Sequence, residues 1–110
     1  MNNRFITINN KKVGDCEPVF IIAEVGINHN GSLTEAKKLI SAAKQSGADA
    51  VKLQSYITEK RVPLNSPIYE NLKSCELNFD EQSELFLFAS DIEIMLFSKL
   101  SDLPNNIFDL

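Results

Sequence analysis

Hydrophobic and polar positions alternate in two different ways along this chain, and the two patterns predict strands and helices in turn. Residues 5–8 alternate in the strand period and are followed by the turn-forming stretch 9–12, which predicts a β-hairpin over residues 5–14. The continuous β-branched and aromatic run Val19–Ala23 predicts a strand buried on both faces, as in a parallel sheet. The pattern therefore begins with a hairpin and a first core strand.

The next segment carries the strongest helix signals in the sequence. Ser32 and Glu35 have the spacing of a capping box, and Gly47 is the expected left-handed residue beyond the helix end. Between them the apolar positions fall on one helical face, and these are Leu33, Ala36, Leu39, Ile40 and Ala43. Ala50–Gln54 then predicts a second buried strand, so that strand, helix and strand form a βαβ unit.

The second half of the chain repeats the alternation of helix and strand with weaker boundary signals. Residues 55–77 contain two prolines and no long period, which predicts a long βα loop. A second helix is expected from about Asn78 and a third strand at Ile94–Ser98, with no glycine or proline to mark the boundary between them. The predicted fold class is α/β, with the first βα units over residues 19–98 and a divergent tail over residues 99–110.

Charged and amide side chains stand in these strands, where a buried strand ordinarily carries none. Lys52 and Gln54 share one face of their strand, and Glu24 lies at the C-terminal end of the preceding strand. In parallel sheets that end is where ligands bind. Because burying a lone charge costs several kcal/mol, either Glu24 and Lys52 form a buried ion pair or Lys52 binds an anionic ligand. The residues alone leave both interpretations open.

The loop over residues 28–32, Asn-His-Asn-Gly-Ser, also admits two interpretations. Backbone N–H groups at a helix N-terminus attract anions, but the same residues supply ordinary turn and cap chemistry. His29 is the only histidine, so this chain cannot build a multi-histidine metal site. Tyr69 and Glu70, in the proline-containing loop, either reach over a pocket or lie at the surface.

Composition and charge narrow the classes of function. The 110 residues are 44% hydrophobic, and eleven Lys and Arg against fifteen Asp and Glu give a net charge of −4. That balance opposes nucleic-acid binding, which needs a basic face. No apolar run approaches the roughly 20 residues of a membrane span, and the N-terminus lacks an apolar signal segment. Cys16 and Cys75 form no CxxC pair, so we expect two reduced thiols. Together these features predict a soluble cytoplasmic protein with no nucleic-acid or membrane partner.

Two stretches taken together resemble the sialic acid synthase family, which includes the N-acetylneuraminate, legionaminic acid and pseudaminic acid synthases. They are residues 22–31, Ile-Ala-Glu-Val-Gly-Ile-Asn-His-Asn-Gly, and residues 47–54, Gly-Ala-Asp-Ala-Val-Lys-Leu-Gln. The resemblance implies a TIM (β/α)8 barrel, of which residues 1–110 supply about the first three βα units. The hairpin would close the lower end of that barrel.

The resemblance also implies a reaction. Such enzymes condense phosphoenolpyruvate with an N-acyl hexosamine such as N-acetylmannosamine to form a nonulosonic acid, and they are usually homodimers. A divalent metal, Mn²⁺ or Mg²⁺, polarises the open-chain aldehyde, C3 of phosphoenolpyruvate attacks it, water adds at C2 and phosphate leaves. By motif position, Glu24 contacts the sugar and assists proton transfer, while Lys52 binds the phosphoenolpyruvate anion. Gln54 would line the sugar pocket and Asn28 would shape its rim.

The sequence departs from the family pattern after the third strand. Where the family usually has Ser-Thr-Pro-Phe, with the threonine facing phosphoenolpyruvate, this chain has Ser98-Lys99-Leu100-Ser101-Asp102, and the glycine before that strand is lost near Glu93. A barrel takes roughly 250 residues, and this chain supplies about three strands. The resemblance implies that the family's metal-binding histidines and most of its phosphoenolpyruvate ligands lie in the part that is absent. We expect either an N-terminal fragment of such a synthase or a non-catalytic remnant of the family. In both cases we expect the 110-residue chain to be inactive by itself.

Overall fold

Nine elements follow one another along residues 2–99, the part of the chain that the computed structural model describes. They are β1 (Phe5–Ile8), β2 (Lys11–Gly14), β3 (Ile22–Gly26), α1 (Leu33–Gln45), β4 (Ala50–Gln54), α2 (Thr58–Arg61), α3 (Tyr69–Cys75), α4 (Phe79–Asp91) and β5 (Met95–Lys99). The predicted tail lies outside the described residues, apart from Lys99. Among residues 2–99 no helix is long and apolar enough to cross a membrane.

The three later strands form one parallel sheet in the order β3-β4-β5. β3 pairs with β4 from Ile22 to Gly26, with Glu24 opposite Lys52 and a register shift between Glu24 and Gly26. β4 pairs with β5 as far as Gln54 opposite Lys99. α1 connects β3 to β4, and α4 leads into β5. The predicted α/β succession of strand, helix and strand is therefore confirmed in the described residues.

Both long helices contribute to one hydrophobic core with the sheet. The core residues are Val25, Ala36, Ile40, Ala43, Val51, Leu53, Leu77, Leu85, Ala89, Ile94 and Leu96. Burying each large aliphatic side chain contributes about 1.5–3 kcal/mol relative to leaving it exposed. Since Val51 and Leu53 point into this core, the alternation along β4 directs Lys52 and Gln54 to the other face.

The start of the first core strand departs from the prediction. β3 begins at Ile22, and Val19, Ile21 and Ile22 are 79, 53 and 49% exposed, so the prediction of a strand over Val19–Ala23 buried on both faces is wrong. A continuous apolar run indicates two covered faces only where a second layer packs on the sheet. The described residues do not cover this part of β3.

The segment between β4 and α4 contains two short helices, so the prediction of an unbroken loop over residues 55–77 is wrong. Helix α2 begins at Thr58, whose backbone N–H and hydroxyl both donate to Oε1 of Glu76, at 2.7 and 2.8 Å. Helix α3 begins at Tyr69, two residues after Pro67, so the prolines lie between the helices. Helices of four and seven residues are too short to show a helical period of apolar residues in the sequence. They are stabilised by side chains that are distant in sequence.

Helix ends are capped partly as predicted. Ser32 Oγ accepts a hydrogen bond from Glu35 N–H at 3.2 Å, while the Glu35 carboxylate pairs with Lys38 at 3.3 Å. The Ser32 N–H does not donate to the Glu35 carboxylate, as it would in a capping box; it donates to the His29 carbonyl instead. The reciprocal capping box is found on α4, where the Asn78 and Glu81 side chains each accept from the other's backbone N–H.

The boundary between α4 and β5 is made without glycine. Helix α4 ends at Asp91, Ile92 caps it, and Glu93 turns the chain in the left-handed region at φ 60°. The Ile94 N–H donates back to the Ala89 carbonyl, which closes the turn before β5. A glutamate thus occupies a conformation that glycine adopts without strain.

The predicted hairpin is present as β1 and β2, and a two-residue turn of Asn9 and Asn10 in the left-handed region joins them. The hairpin is tied to the start of β4 because Lys11 forms an ion pair with Asp49, and Asp49 Oδ2 also accepts from the Ile21 N–H at 2.7 Å. These hydrogen bonds, with the Lys11 contact first, lower the pKa of Asp49. The hairpin therefore lies at the N-terminal end of the sheet, opposite the end that carries Gln54 and Lys99.

Candidate functional site

A row of polar side chains lies on the face of the parallel sheet away from the core, and it runs from the middle of β3 and β4 to the last residues of β4 and β5. Glu24 stands opposite Lys52 across β3 and β4, and Gln54 stands opposite Lys99 across β4 and β5. Paired residues of neighbouring strands project from the same face of a sheet. These four side chains, together called the strand-end row, are therefore brought together on one open surface.

Glu24 and Lys52 contact each other within this row. Oε2 of Glu24 lies 3.5 Å from Nζ of Lys52, and the two side chains are 56% and 39% exposed. The ion pair is therefore present as predicted, but the prediction that it is buried is wrong, since both groups keep much of their water. An ion pair this exposed contributes only about 0.2–1 kcal/mol, so either charge can exchange its partner for a ligand at little cost.

Gln54 and Lys99 complete the row. Gln54 is half-buried at the last position of β4, and Lys99 is exposed at the last position of β5. Phe97 is half-buried opposite Lys52, one pleat before Lys99. The strand-end row therefore combines an acid, an amide and two ammonium groups, and the Phe97 ring lies beside them on the same face of the sheet.

Asn28 lies in the loop that follows β3, at the same end of the sheet. Its side chain is exposed, and its backbone N–H donates to the Val25 carbonyl at 3.0 Å. Two residues later, Asn30 and Gly31 take left-handed backbone conformations that turn the chain toward α1. The loop thus leaves Asn28 in solvent beside the end of β3.

His29 is held inside this loop rather than offered to a ligand. The imidazole is 1% exposed, and its Nδ1 accepts a hydrogen bond from the Gly31 N–H at 2.9 Å. Burial lowers the pKa of His29, and the nearby Glu81 carboxylate offsets part of that effect. The neutral imidazole therefore acts as a structural acceptor that fixes the turn.

The two short helices form a second polar cluster, which sequence analysis missed. Glu59 Oε1 accepts from the Tyr69 hydroxyl at 2.9 Å and from Lys73 Nζ at 2.8 Å, and Lys73 also pairs with Glu76 at 3.3 Å. The Lys73 hydrogen bond is the largest cause of a pKa of Glu59 lowered to about 2. Glu59 lies 10 residues from Tyr69 and 14 residues from Lys73, so no local pattern in the sequence predicts these contacts.

The structure also places Tyr69 and Glu70, which the sequence analysis assigned either to a pocket or to the surface. Tyr69 is buried and bonded to Glu59, whereas Glu70 is exposed on α3. Tyr56, the second residue after β4, donates its hydroxyl to the Leu72 carbonyl at 2.6 Å, and burial raises its pKa to about 12. Helix α3 is therefore anchored to the end of β4.

Helix α3 also touches the loop that carries Asn28. Gly31 has φ +78°, and a Cβ added there would lie 2.0 Å from the Ser74 carbonyl oxygen. Only a glycine permits so close an approach of two backbones. The loops after β3 and β4 are therefore packed against each other at the end of the sheet where the strand-end row lies.

A groove away from the strand-end row carries no site chemistry. A shallow groove of about 440 Å³ between α1 and α4 is lined by Lys37, Ser41, Gln45 and Phe88 among others. Lys37 already pairs with Glu84 and lies over the Phe88 ring. In the described residues the strand-end row is an open surface, and its side chains, not a cavity, define the candidate site.

The described residues offer no set of metal ligands. Among residues 2–99, no three or more His, Cys, Asp or Glu side chains are grouped closely enough to hold an ion. Cys16 and Cys75 are both free, with no disulfide between them. The chemistry available at the strand-end row is therefore charge and hydrogen bonding.

Known proteins similar to this chain share both its sequence and its fold. An N,N'-diacetyllegionaminic acid synthase of Legionella pneumophila is 37% identical over 110 residues, which covers 82% of this chain and 31% of that protein. An uncharacterized protein of Methanocaldococcus jannaschii is 48% identical over 98 residues, or 89% of this chain and 29% of that one. An N-acetylneuraminic acid synthetase from Leptospira borgpetersenii, solved in complex with citrate, has a TM-score of 0.79 and 35% identity over 87% of this chain and 34% of its own.

This chain therefore spans about 30% of the length of the curated relatives that it matches. Its α/β fold is similar to that of a sialic acid synthetase. The model of the NeuB family matches residues 39–105, which is more than half of the 110 residues. On this match and on the identity to the legionaminic acid synthase, the chain belongs to the NeuB family.

Proposed function

We propose that this chain forms the first strands of a (β/α)8 barrel synthase that condenses phosphoenolpyruvate with an N-acyl hexosamine to a nonulosonic acid. One observation carries the proposal: Glu24 and Lys52 meet at 3.5 Å on adjacent parallel strands, on the face away from the helices and one pleat before Gln54 at the C-terminal end of β4. Barrel enzymes hold their active sites at that end of the strands. The relatives named as synthases are about three times as long, so the proposal concerns the part of the site that these residues supply.

In this proposal the two charges divide the chemistry. Lys52 binds the phosphoenolpyruvate anion, where an ammonium stabilises negative charge that develops on the departing phosphate. Glu24 contacts the sugar near its aldehyde and assists proton transfer to the new hydroxyl. Gln54, one pleat beyond Lys52, hydrogen-bonds the sugar, and the exposed Asn28 shapes the rim.

The described residues do not fit the divalent metal that the family resemblance implies. His29 is buried with its Nδ1 bonded to Gly31, and residues 2–99 hold no cluster of potential ligands. We therefore assign no metal ligand and no metal-dependent step to these residues. Binding of the two substrates, and proton handling at Glu24, are the steps that they support.

Substrate binding and turnover test the proposal separately. We expect phosphoenolpyruvate to cause saturable NMR shifts around Lys52 in the isotope-labelled 110-residue chain, and we expect Lys52→Met to abolish them. Lys38→Met is the matched control, because Lys38 is an exposed lysine on α1 that pairs with Glu35, away from the strand-end row. Equal shifts in the wild type and in Lys52→Met would remove the basis for an anion site.

Turnover is best measured in a chimera in which residues 2–99 replace the matching part of the Leptospira synthetase. With phosphoenolpyruvate and N-acetylmannosamine we expect phosphate release, and a loss of kcat/KM of at least about 100-fold in both Glu24→Gln and Lys52→Met. The 110-residue chain by itself should release no phosphate above a blank. A folded chimera in which Lys52→Met retains full activity would refute the proposed role.

A further inference from the structure

The ion pair of Glu24 and Lys52 leaves the proposed anion site without net charge. The carboxylate lies 3.5 Å from the ammonium, so an approaching anion is attracted by one group and repelled by the other. Phosphoenolpyruvate presents two anionic groups, a carboxylate and a phosphate. Binding it at this face therefore requires a further cation that the pair does not supply.

Lys99 is placed to be that cation. It stands opposite Gln54 across β4 and β5, and the neighbouring pair on the same face is Lys52 opposite Phe97. The strand spacing and the rise of two residues put the Lys52 and Lys99 backbones about 8 Å apart on the diagonal. Two flexible lysine stems can converge across such a gap on one ligand.

The Lys99 ammonium is also uncommitted in the described part of the chain. The side chain is exposed, and within residues 2–99 it has no ion pair or side-chain hydrogen bond. With Glu24 and Lys52 it brings the charge of the strand-end row to plus one. Its position is fixed by the backbone, because the Lys99 carbonyl accepts the Ser55 N–H at 3.2 Å.

We propose that Lys52 and Lys99 together bind one ligand with two anionic groups, each ammonium taking one group. This inference rests on the proposed function and adds a substrate-binding residue to it. It predicts that the site prefers phosphoenolpyruvate to inorganic phosphate, because phosphoenolpyruvate offers each ammonium its own anionic group and phosphate offers only one group to both. Removing Lys99 should reduce that preference.

The test is an NMR titration of the full 110-residue chain with phosphoenolpyruvate and, separately, with inorganic phosphate. Lys99→Met should weaken phosphoenolpyruvate binding about tenfold, the worth of one charge-assisted contact. Lys99→Arg should restore binding to within about threefold of wild type, since it keeps the charge. Lys38→Met, which removes one charge from α1, should change binding by less than about twofold.

The outcomes separate this inference from the proposed function. If Lys52→Met abolishes binding and Lys99→Met matches the Lys38→Met control, the role of Lys99 is overturned while the anion site at Lys52 stands. If both variants bind as the wild type does, or if the wild type shows no saturable binding, both proposals fail. Lys99 and Lys38 are exposed and Lys52 is only half-buried, so a circular-dichroism melt should show all variants folded like the wild type.

Discussion

Gly31 is the point where the loop after β3 meets α3, and one methyl group there tests how firmly that contact shapes the candidate site. At φ +78° the residue is in the left-handed region, and an added Cβ would lie 2.0 Å from the Ser74 carbonyl oxygen. Real Cβ contacts stay beyond 3.0 Å, so Gly31→Ala must push the two backbones about 1 Å apart. Asn28, three residues earlier, would move with the loop.

The expected loss of stability has two parts. An L residue in the left-handed region costs about 1–2 kcal/mol, and overpacking a tight contact costs a further 1–3 kcal/mol, roughly. Gly31→Ala should therefore lower the free energy of unfolding by about 3 kcal/mol. Gly47→Ala is the matched control, since Gly47 also has a positive φ, +90°, but no heavy atom lies within 4 Å of its added Cβ.

Urea unfolding followed by far-ultraviolet circular dichroism measures both variants on one scale. We expect Gly47→Ala to lose only about 1 kcal/mol, so the difference of about 2 kcal/mol isolates the contact with Ser74. The slope of free energy against urea should not change, which shows that the same surface unfolds. Equal losses of unfolding free energy in the two variants would mean that α3 moves away from the added methyl group at no cost. That result would refute the rigid packing of the two loops.

Three further changes test other contacts in the described residues. Glu93→Gly should raise the free energy of unfolding by about 1 kcal/mol in urea titrations, because it relieves the left-handed strain at φ 60°. Glu76→Ala should lower it by about 1–3 kcal/mol, because the buried Thr58 N–H and hydroxyl lose their acceptor. Burial lowers the pKa of His29 in the folded chain below its ordinary 6.5, so stability should be full above pH 6.5 and fall as the pH drops below it. Chemical unfolding between pH 5.5 and 7.5, roughly, measures that slope.

Each of these changes has its own control. Glu93→Ala keeps a Cβ and should give no such gain, so equal gains from alanine and glycine would count against backbone strain. Glu70→Ala removes an exposed carboxylate from the same helix as the cluster and should change stability by less than about 0.5 kcal/mol. Since His29 is the only histidine, His29→Gln should flatten the pH slope, and a slope unchanged in that variant would rule out His29 as its source.

The sheet and the shared face of Lys52 and Gln54 were accessible from the sequence because both follow from short periods. Alternation along β4 has a period of two, so the burial of Val51 fixes the face of Lys52 whatever the rest of the chain does. The cap at Ser32 and the glycine at position 47 bound α1 locally. Such signals lie within a few residues of the feature that they predict.

The parts that sequence analysis missed depend on distant partners or on layers beyond the strand itself. Helix α2 exists because Glu76, eighteen residues away, caps Thr58, and no local pattern encodes that contact. The exposure of Ile22 depends on whether a second layer covers β3, and an apolar run does not indicate whether that layer is present. The register that brings Lys99 beside Gln54 likewise follows from strand pairing, not from either strand alone.

The open face also bears on how strongly the two site charges act. At 3.5 Å a unit charge pair gains about 1 kcal/mol in water but about 5 kcal/mol at an effective dielectric near 20. Further strands of the proposed barrel would exclude water from this face, so the same Glu24 and Lys52 would interact several times more strongly there than on the open sheet. A ligand that displaces Glu24 from Lys52 would then need to replace that interaction, and a ligand with two anionic groups, one on Lys52 and one on Lys99, replaces it more fully than a ligand with one. We therefore expect the preference for phosphoenolpyruvate over inorganic phosphate to be larger in the chimera than in the 110-residue chain.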